Sequence, residues 1–271
     1  MNAQAGHNTT GPKETARGRM EGGTMTSGSL SPGPSPGKPL ISVITVVRNG
    51  GDVIEKTIRS VLEQNYPNIE YIVIDGASTD GTVDIIRKYA DRISYWVSKP
   101  DKGIYDAMNK ALDHVHGDGH LFLNAGDYFV GQSIPEMPVL PCYIRVFKKN
   151  IFGSVRPYRQ KNYHLGLPYC HQGVLFETRG IRYDLAYRVA ADYNYYLDHG
   201  YRDLSFCRSS GHVYHDVGHS KRHATIRDAE IAEIIGKRFP KLWVILFRII
   251  VLSKKVLKAI LKYTGIVHSP G

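Results

Sequence analysis

The chain has 271 residues, 42% of them hydrophobic, and a formal net charge of +10. This length is sufficient to bury a substantial core in one large domain with appendages. Most of the excess charge lies after position 220, where eleven Lys and Arg residues stand against three acids, a difference of +8. A basic terminus of this kind is typical of proteins that bind nucleic acid or anionic lipid.

Two features of the chain favour a cytoplasmic location. Residues 1–38 are dominated by Gly, Ser, Thr and Pro and lack the apolar stretch of a secretory signal. We expect them to form a disordered tail, because they cannot bury enough apolar surface to offset ordering. The cysteines Cys142, Cys170 and Cys207 form no CxxC pair, which favours free thiols in a reducing compartment over a disulfide or a zinc site.

Strands and helices alternate between residues 39 and 127. Apolar β-branched runs predict the strands, and apolar residues at helical spacing predict the helices, the first of which Asp52 is expected to cap. The alternation indicates right-handed crossovers and an α/β fold with a mostly parallel sheet flanked by helices. The predicted strands are 41–47, 69–74, 93–98 and 121–123. The predicted helices are one that follows Asp52 and ends before the break at 66–68, one at 80–90 and one at 103–115.

Two acid-bearing turns follow predicted strands. The first is DGASTDGT at 75–82, and a strand, a Gly/Ser/Thr turn and a helix in this order are typical of nucleotide binding at the edge of a parallel sheet. Asp75 is therefore a candidate ligand contact, with a turn-shaping aspartate as the alternative. The second turn is NAGD at 124–127. Together the two turns predict a site for a nucleotide and a metal ion, which indicates nucleotide-sugar chemistry.

The predicted helix 103–115 carries polar residues opposite its apolar stripe. Gly103 allows close backbone approach to a ligand, and the start of a helix favours an anion. We include Asp106 and Asn109 among the candidate donor contacts on this face. The alternative is a polar face that is simply solvated.

The second half, residues 128–220, is rich in proline and tyrosine. Aromatic, loop-rich surface suits an acceptor site, because sugar rings stack on aromatic faces. Histidines at 212, 215, 219 and 223 are spaced like metal ligands on a helix, but Gly211 and Gly218 argue against an unbroken helix there.

The basic terminus also has an apolar segment. Residues 242–252 read LWVILFRIIVL, apolar except for Arg248 and too short for the roughly 20 residues that a membrane span needs. In a helix that continues to Lys262, Arg248 and four lysines share about one third of the circumference. We predict basic amphipathic helices over 221–271 that lie on an anionic membrane surface, with no nucleic acid as partner. Packing against the protein's own core is the alternative.

The sequence from about residue 41 to 220 is similar to glycosyltransferase family 2, and in particular to its bacterial surface-polysaccharide members of the colanic-acid type. The resemblance depends on the order of several motifs, since any one of them alone is weak. It implies a GT-A fold and transfer from a nucleotide sugar. The motifs are SVITVVRNG at 42–50, DGASTDGT, SKPDKGIYDAMNK at 98–110, LNAGD at 123–127, CHQGVLF at 170–176 and AADYNYYL at 190–197.

The resemblance implies roles for individual residues. Thr45, Val47 and Asp75 match residues that hold the base and ribose of the donor. Asp127 matches the last acid of a DXD-like motif that holds Mn²⁺ or Mg²⁺ against the diphosphate, where a hard cation neutralises the departing charge. Asp192 matches the catalytic aspartate of an inverting transfer, the base that takes the proton of the acceptor hydroxyl.

The sequence departs from the family pattern at two positions. Gly126 stands where a second acid is common, so the ribose contact falls to Asn124 or to a backbone group. Met108 stands near a position where many members carry an arginine that holds the nucleotide. Lys102 or Arg48 is expected to substitute for it.

The resemblance also bears on the histidines. The region after residue 211 corresponds to a mobile loop near the donor diphosphate in this family, so His215 or His219 is a candidate to contact phosphate or metal. His171, in CHQGVLF, is expected to shape the acceptor pocket or to donate a structural hydrogen bond.

The sequence therefore predicts a metal-dependent inverting glycosyltransferase, peripheral on the inner face of the cell membrane. A nucleotide-sugar half (39–127) and an acceptor half (128–220) would move a sugar from a nucleoside-diphosphate sugar, expected to be a UDP-sugar, to a lipid-linked saccharide or surface polysaccharide. One alternative is a nucleotide-sugar-binding pseudoenzyme that assembles other transferases. A dinucleotide-dependent oxidoreductase needs G-x-G-x-x-G after the first strand, and VRNGGDV at 47–53 lacks that spacing.

Overall fold

The computed structural model describes residues 13–15, 19–25, 36–149, 154–158, 160, 162–215 and 223–263. The strands are β1 (Lys13–Thr15), β2 (Arg19–Gly22), β3 (Ile41–Val47), β4 (Ile69–Asp75), β5 (Tyr95–Ser98), β6 (Gly119–Phe122), β7 (Tyr128–Val130), β8 (Cys142–Tyr143), β9 (Val146–Lys149), β10 (Val155–Pro157), β11 (Val174–Glu177), β12 (Ser205–Phe206) and β13 (His212–His215). The helices are α1 (Ile54–Leu62), α2 (Thr82–Lys88), α3 (Ile104–Leu112), α4 (Ala191–Asp198), α5 (Ala224–Arg238) and α6 (Lys241–Tyr263).

The larger sheet has a parallel centre. Its strand order is β1-β2-β5-β4-β3-β6-β11-β8-β12, and β5, β4, β3 and β6 run parallel to one another. Antiparallel strands extend it, β2 beside β5 and β11 beside β6. Every residue of β3 is buried, as expected for a strand covered on both faces. The predicted α/β fold with a mostly parallel core is confirmed.

The helices of the first half pack as their apolar stripes predict. Helix α3 contacts β3 and β4, and helix α1 contacts β3, α2 and β7. Both α2 and α3 are shorter than predicted. The predicted cap at Asp52 was wrong, because α1 begins after Val53 without a side-chain capping bond. Instead, Asp80 accepts hydrogen bonds from the amide and the hydroxyl of Thr82 at the start of α2.

A smaller sheet has the strand order β10-β9-β13-β7. Strand β13 runs parallel to β9 and antiparallel to β7. The buried side chains Phe129, Val146 and Val213 occupy paired positions in it. Since β7 directly follows the NAGD turn, this sheet lies beside the end of β6.

The prediction of a disordered tail was wrong for part of the first 38 residues. Strand β2 pairs with β5, Met20 opposite Ser98 and Gly22 opposite Trp96, and β1 pairs with β2. Gly22 allows the close approach, since a Cβ there would lie 2.7 Å from the indole Nε1 of Trp96. The free backbone edge of β5 explains the pairing, because a ladder of main-chain hydrogen bonds needs no apolar sequence. The rest of the tail, except for residues 23–25 and 36–38, lies outside the described residues.

The prediction that all three cysteines are free thiols was also wrong. Cys142 in β8 forms a disulfide with Cys207, which directly follows β12, and only Cys170 is free and buried. The two bonded residues are 65 positions apart in the chain. They meet because β8 and β12 are neighbours in the sheet, which cysteine spacing does not reveal. The cysteines therefore give no support for a reducing compartment.

Helices α5 and α6 pack against each other after the second half of the chain. The ring of Trp243 in α6 stacks on His164 with centroids 4.2 Å apart, which fixes the start of this helix on the domain. In the part of the chain that the structure describes, no helix has the length and apolarity required to cross a membrane.

Candidate active site

The parallel strands bring both acid-bearing turns to one edge of the sheet. Asp75 is paired with Val47 on one side and with Ser98 on the other. On the opposite flank of β3, the amide of Leu123 donates to Ile44 O at 2.8 Å, and the chain then enters the NAGD turn. The turns at 75–82 and 124–127 therefore lie on either side of the carboxyl end of β3, as the sequence predicts for a nucleotide site.

Asp75 and Thr45 lie fully buried beneath this edge. The carboxylate of Asp75 accepts hydrogen bonds from the Ser98 hydroxyl at 2.6 Å, from the Ser78 amide at 2.9 Å and from the Ser78 hydroxyl. The hydroxyl of Thr45 donates to Leu123 O at 2.8 Å. These contacts hold the turns in place, and a direct contact of either residue with a nucleotide stays a prediction.

The loops after β3 and β4 are tied together. The amide of Asn49 donates to the Ser78 hydroxyl at 2.7 Å, and the amide of Thr79 donates to Asn49 Oδ1 at 3.0 Å. Asn49 and Ala77 both have positive φ, 50° and 58°. Left-handed backbone outside glycine is uncommon and clusters at functional sites. The two loops therefore form one pre-shaped rim.

Arg48 lies on this rim beside Gly76 and Asp101. A Cβ on Gly76 would come within 2.2 Å of Asp101 Oδ2 and 3.3 Å of Arg48 Cβ, so the glycine admits both neighbours. Val47 ends β3 just below Arg48, and Lys102 follows Asp101 with an exposed side chain. The structure thus brings Arg48 close to the turn after β4.

The candidate donor contacts on α3 have intramolecular partners. Asp106 binds the Lys110 ammonium at 2.7 Å and the Lys102 amide at 2.8 Å. Burial acts to raise the pKa of Asp106, but these two contacts outweigh it and lower the pKa. Asn109 Nδ2 donates to Tyr183 O, and Asn109 Oδ1 accepts from the Tyr183 amide, so this side chain faces the second half of the chain rather than the rim.

Asp127 is buried and held from two sides. Its carboxylate Oδ1 lies 2.9 Å from His215 Nδ1, and its main-chain oxygen accepts a hydrogen bond from the Thr57 hydroxyl at 2.8 Å. The same hydroxyl accepts from the Gly126 amide, where φ is 96°. Asn124 Oδ1 lies nearby in the turn, buried and without a hydrogen-bond partner in the structure. A buried oxygen without a partner is uncommon and is available to a water molecule or an ion.

Asp192 lies in the first turn of α4, half-buried, and accepts a hydrogen bond from the Tyr193 amide at 2.8 Å. The pKa of Tyr105 is raised by burial and then by the Asp192 carboxylate, which places this phenol beside it. The pKa of Cys170 is raised by burial and then by both Asp127 and Asp192. Both carboxylates therefore lie close enough to this buried thiol to act on it through space.

Two residues that hold the segment before Asp192 were not predicted from the sequence. Glu230 of α5 accepts hydrogen bonds from the amides of Arg188, Val189 and Ala190 at 2.8 to 2.9 Å, which fixes the segment that enters α4. Tyr105 Oη donates to Val189 O at 3.0 Å. The contacts join segments 40 to 84 residues apart, so no local pattern could have indicated them.

The three candidate histidines, His171, His215 and His219, lie in different places. His171 is buried and bonds the Tyr183 hydroxyl at 2.6 Å, in agreement with a structural hydrogen bond. His215 is the one that meets Asp127, while His219 lies outside the described residues. Within those residues, no three His, Cys, Asp or Glu side chains form a group that could hold a metal.

Residues 42–181, just over half of the chain, match the family model described as Glycosyl transferase family 2. The chain belongs to this family, as its motifs predicted.

Several glycosyltransferases are similar in sequence. The uncharacterized glycosyltransferase Rv1514c of Mycobacterium tuberculosis is 42% identical over 102 residues, which are 37% of this chain and 39% of that protein. TuaG of Bacillus subtilis, named for teichuronic acid biosynthesis, is 43% identical over 93 residues, 33% of this chain and 37% of TuaG. A PGL/p-HBAD biosynthesis glycosyltransferase of M. tuberculosis is 29% identical over 58% of this chain and 68% of its own length. The alignments with the first two thus span less than two fifths of those relatives.

Solved structures share the fold. Residues 1–349 of TarS of S. aureus, in complex with UDP, superpose with a TM-score of 0.54 at 16% identity, covering 76% of this chain and 68% of that fragment. The mannosyltransferase PcManGT of Pyrobaculum calidifontis, in complex with GDP-Man and Mn²⁺, superposes with a TM-score of 0.56 at 22% identity. The match covers 75% of this chain and 65% of PcManGT. At these identities the likeness shows the GT-A fold.

Proposed function

We propose that the chain is an inverting glycosyltransferase that moves a sugar from a nucleoside-diphosphate sugar, a UDP-sugar, to a lipid-linked or surface-polysaccharide acceptor. The observation that carries the proposal is the pair of carboxylates, Asp127 and Asp192, which come from different segments and both act on the buried Cys170. One of them adjoins the nucleotide-type rim and the other lies in the aromatic second half. This is the arrangement that a donor and an acceptor require.

The side chains around Asp127 fit a divalent cation, Mn²⁺ or Mg²⁺. Asp127 supplies a carboxylate, His215 an imidazole 2.9 Å from it, and Asn124 an unpaired buried oxygen. Oxygen-rich sites with few protein ligands suit these ions, since diphosphate oxygens and water complete their coordination. When bound, the ion would neutralise the charge of the departing diphosphate. Asp127 and His215 are the proposed ligands.

The rim would hold the nucleotide. Arg48 and Lys102 supply positive charge there, while Asp75 and Thr45 keep the turns after β4 and β6 in position. We propose that main-chain groups at Val47 and in the turn at 75–82 contact the base and ribose. The complexes of TarS with UDP and of PcManGT with GDP-Man, which share the fold, support a nucleotide donor.

Asp192 would remove the proton of the acceptor hydroxyl. Its carboxylate is held in the first turn of α4 by the amide of Tyr193. Glu230 and Tyr105 hold the preceding segment, so the carboxylate is pre-positioned rather than mobile. The names of TuaG and of the PGL/p-HBAD transferases support an acceptor in cell-surface glycan synthesis.

Helix α6 would place the enzyme on an anionic membrane, at the cytoplasmic face. Large aliphatic side chains are exposed along one arc of about 120°, with Lys241 and Arg248 at its border. Exposed apolar stripes bordered by cations suit the lipid headgroup region. The exposed side chains are Leu242, Ile245, Leu246, Ile249, Leu252 and Val256.

Incubation with a panel of nucleotide sugars and Mn²⁺ or Mg²⁺ tests the reaction, with release of nucleoside diphosphate as the readout. We expect one donor to be turned over in the presence of the metal. The Asp127→Asn variant should lose this metal-dependent turnover. Asp91→Asn, at an exposed position, is the matched control. A protein that binds a donor but turns over none of them, with or without acceptor extract, is the assembly pseudoenzyme instead.

Sedimentation with vesicles of phosphatidylglycerol tests the membrane proposal. Replacement of Leu242, Ile249 and Leu252 by Gln should abolish sedimentation without unfolding the protein, because these side chains are exposed. Val139→Gln and Leu185→Gln change exposed aliphatic residues elsewhere and serve as the control. Equal sedimentation of both variants would contradict an interfacial helix.

A further inference from the structure

The segment between Glu136 and Glu177 contains no Asp or Glu, and it spans β8, β9 and β10. An acid-free run of this length is uncommon in a chain with 22% charged residues. The positive side chains of this segment are simply solvated if they point away from the site, so their direction matters. The cations of the segment are Arg145, Lys148, Lys149, Arg156, Arg159 and Lys161.

Three basic residues form a row across the smaller sheet. Lys148 of β9 is in register with His215 of the parallel strand β13 and with Arg156 of the antiparallel strand β10. Residues paired in this way point to the same face of a sheet. The row begins at Asp127, which bonds His215 at 2.9 Å, and with strands about 5 Å apart it ends about 10 Å beyond His215. We call these residues, His215, Lys148 and Arg156, the basic row.

The basic row lies on the face that adjoins the active site. Val213 and Val146 are buried, and each lies two residues before a member of the row, hence on the same face. Tyr158 lies two residues after Arg156, and the Lys148 ammonium is 4.9 Å from the centroid of its ring. Burial is the largest cause that raises the pKa of Tyr158, and the charges of Cys170 and Asp192 raise it further. This phenol therefore lies near both residues of the site.

The two cations of the basic row, Lys148 and Arg156, lack a negatively charged partner among the described residues. Lys148 and Arg156 stand directly opposite each other, and like charges in that position destabilise a sheet. Neither forms an ion pair within the residues that the structure describes. An anion between the two cations would remove the repulsion and gain charge-assisted hydrogen bonds.

The direction of the row separates it from the donor. The rim for the nucleotide lies at the ends of β3 and β4, on the far side of Asp127, whereas Lys148 and Tyr158 lie toward Asp192. Building on the proposed function, we propose that Lys148 and Arg156 form a subsite for a phosphate group of the acceptor. Both a lipid diphosphate and a phosphate-bearing polymer carry this group.

Calorimetric titration of the full-length protein, saturated with UDP and Mn²⁺, tests the subsite without turnover. The probes are N-acetylglucosamine linked to citronellyl diphosphate, a glycerol phosphate trimer, and the phosphate-free citronellyl N-acetylglucosaminide. We expect one phosphate probe to bind about tenfold more tightly than the neutral glycoside, and Lys148→Gln and Arg156→Gln each to lose about tenfold. The preferred phosphate probe identifies the source, lipid or polymer.

Arg145→Gln is the matched control, because Arg145 is an exposed cation that directly precedes β9 and, three residues before Lys148, falls on the other face by alternation. It should leave binding of both phosphate probes unchanged. Equal affinity for charged and neutral probes overturns the subsite, as does an equal loss in Arg145→Gln. A Lys148→Gln variant that loses affinity for UDP to the same extent assigns the row to the donor instead. Absence of UDP binding by the wild type counts against the proposed function alone, since the probes can still be titrated without it.

Discussion

The two halves of the domain build their parts of the site differently. Residues 39–127 form long parallel strands, β3 and β4 with seven residues each, whose end loops are tied to each other by hydrogen bonds such as those of Asn49 and Asp75. Residues 128–220 contribute strands of two to four residues, a disulfide and a packed aromatic cluster. The donor side is therefore shaped at the ends of long parallel strands, and the acceptor side by the packing of side chains from short strands and separate segments.

The aromatic cluster joins the halves. His120 of β6 bonds the Tyr195 hydroxyl at 2.8 Å and stacks on Phe176, and His171 bonds the Tyr183 hydroxyl. Tyr183 and Tyr195 stack with centroids 4.1 Å apart. Since these groups are buried, their hydrogen bonds have no competing water, and the acceptor side depends on all of them together.

Asp192→Asn gives the largest expected effect and separates the halves most sharply. Loss of the base should lower sugar transfer by about 10² to 10⁴, while the affinity for UDP stays unchanged because the rim is intact. Transfer rates and UDP titrations measure the two quantities. Asp203→Asn, an exposed acid of the same half, is the control. An equal loss of UDP affinity in Asp192→Asn would show that the halves are not independent.

Removal of the disulfide should act on the acceptor half. Cys142→Ser with Cys207→Ser frees a loop of 65 residues, and chain entropy predicts a loss of about 4 kcal/mol from the free energy of unfolding. Urea unfolding of the oxidised protein measures it. Added reductant should lower the stability of the wild type and leave the double variant unchanged. If reductant has no effect on the wild type, the bond does not form in solution.

Glu230→Gln should produce a smaller, specific loss of activity. A glutamine keeps one acceptor oxygen for the three amides of residues 188–190, so Asp192 is less well positioned, and kcat should fall about tenfold. The KM for the donor should not change. Glu233→Gln, one turn further along α5 and paired with Lys237, is the control. A change in donor KM alone would contradict a positioning role.

Acid should weaken the junction of the two halves. Burial, with neighbouring histidines, lowers the pKa of His120 and His171 from 6.5 to about 3. Between these values the unfolded chain binds more protons than the folded one. The free energy of unfolding is therefore highest above pH 6.5 and falls toward pH 3, by on the order of 1 kcal/mol per pH unit for each histidine.

Urea unfolding at pH 7.5, 6.5 and 5.5 measures this dependence. His223→Gln, at an exposed position, should keep the wild-type slope. Stability that is constant down to pH 5.5 would show that the two histidines are not buried in solution.

The sequence by itself determined the fold of residues 41–127 and the position of both acid-bearing turns. Apolar periodicity and turn residues are local, and parallel strands place their carboxyl ends at one edge whatever their neighbours are. The family could also be recognised from the sequence, because its motifs are short segments that occur in a fixed order. Helix ends were less accurate, as at Asp52, since capping depends on the exact path of the chain.

Tertiary structure alone decided the contacts between distant segments. The pairing of β2 with β5, the Cys142–Cys207 disulfide, the hold of Glu230 on the segment before Asp192, and the basic row all join residues that no spacing rule connects. Asn109, predicted to face a donor, contacts Tyr183 instead for the same reason. Such contacts depend on which strands become neighbours, and that is settled by the packing of the whole chain.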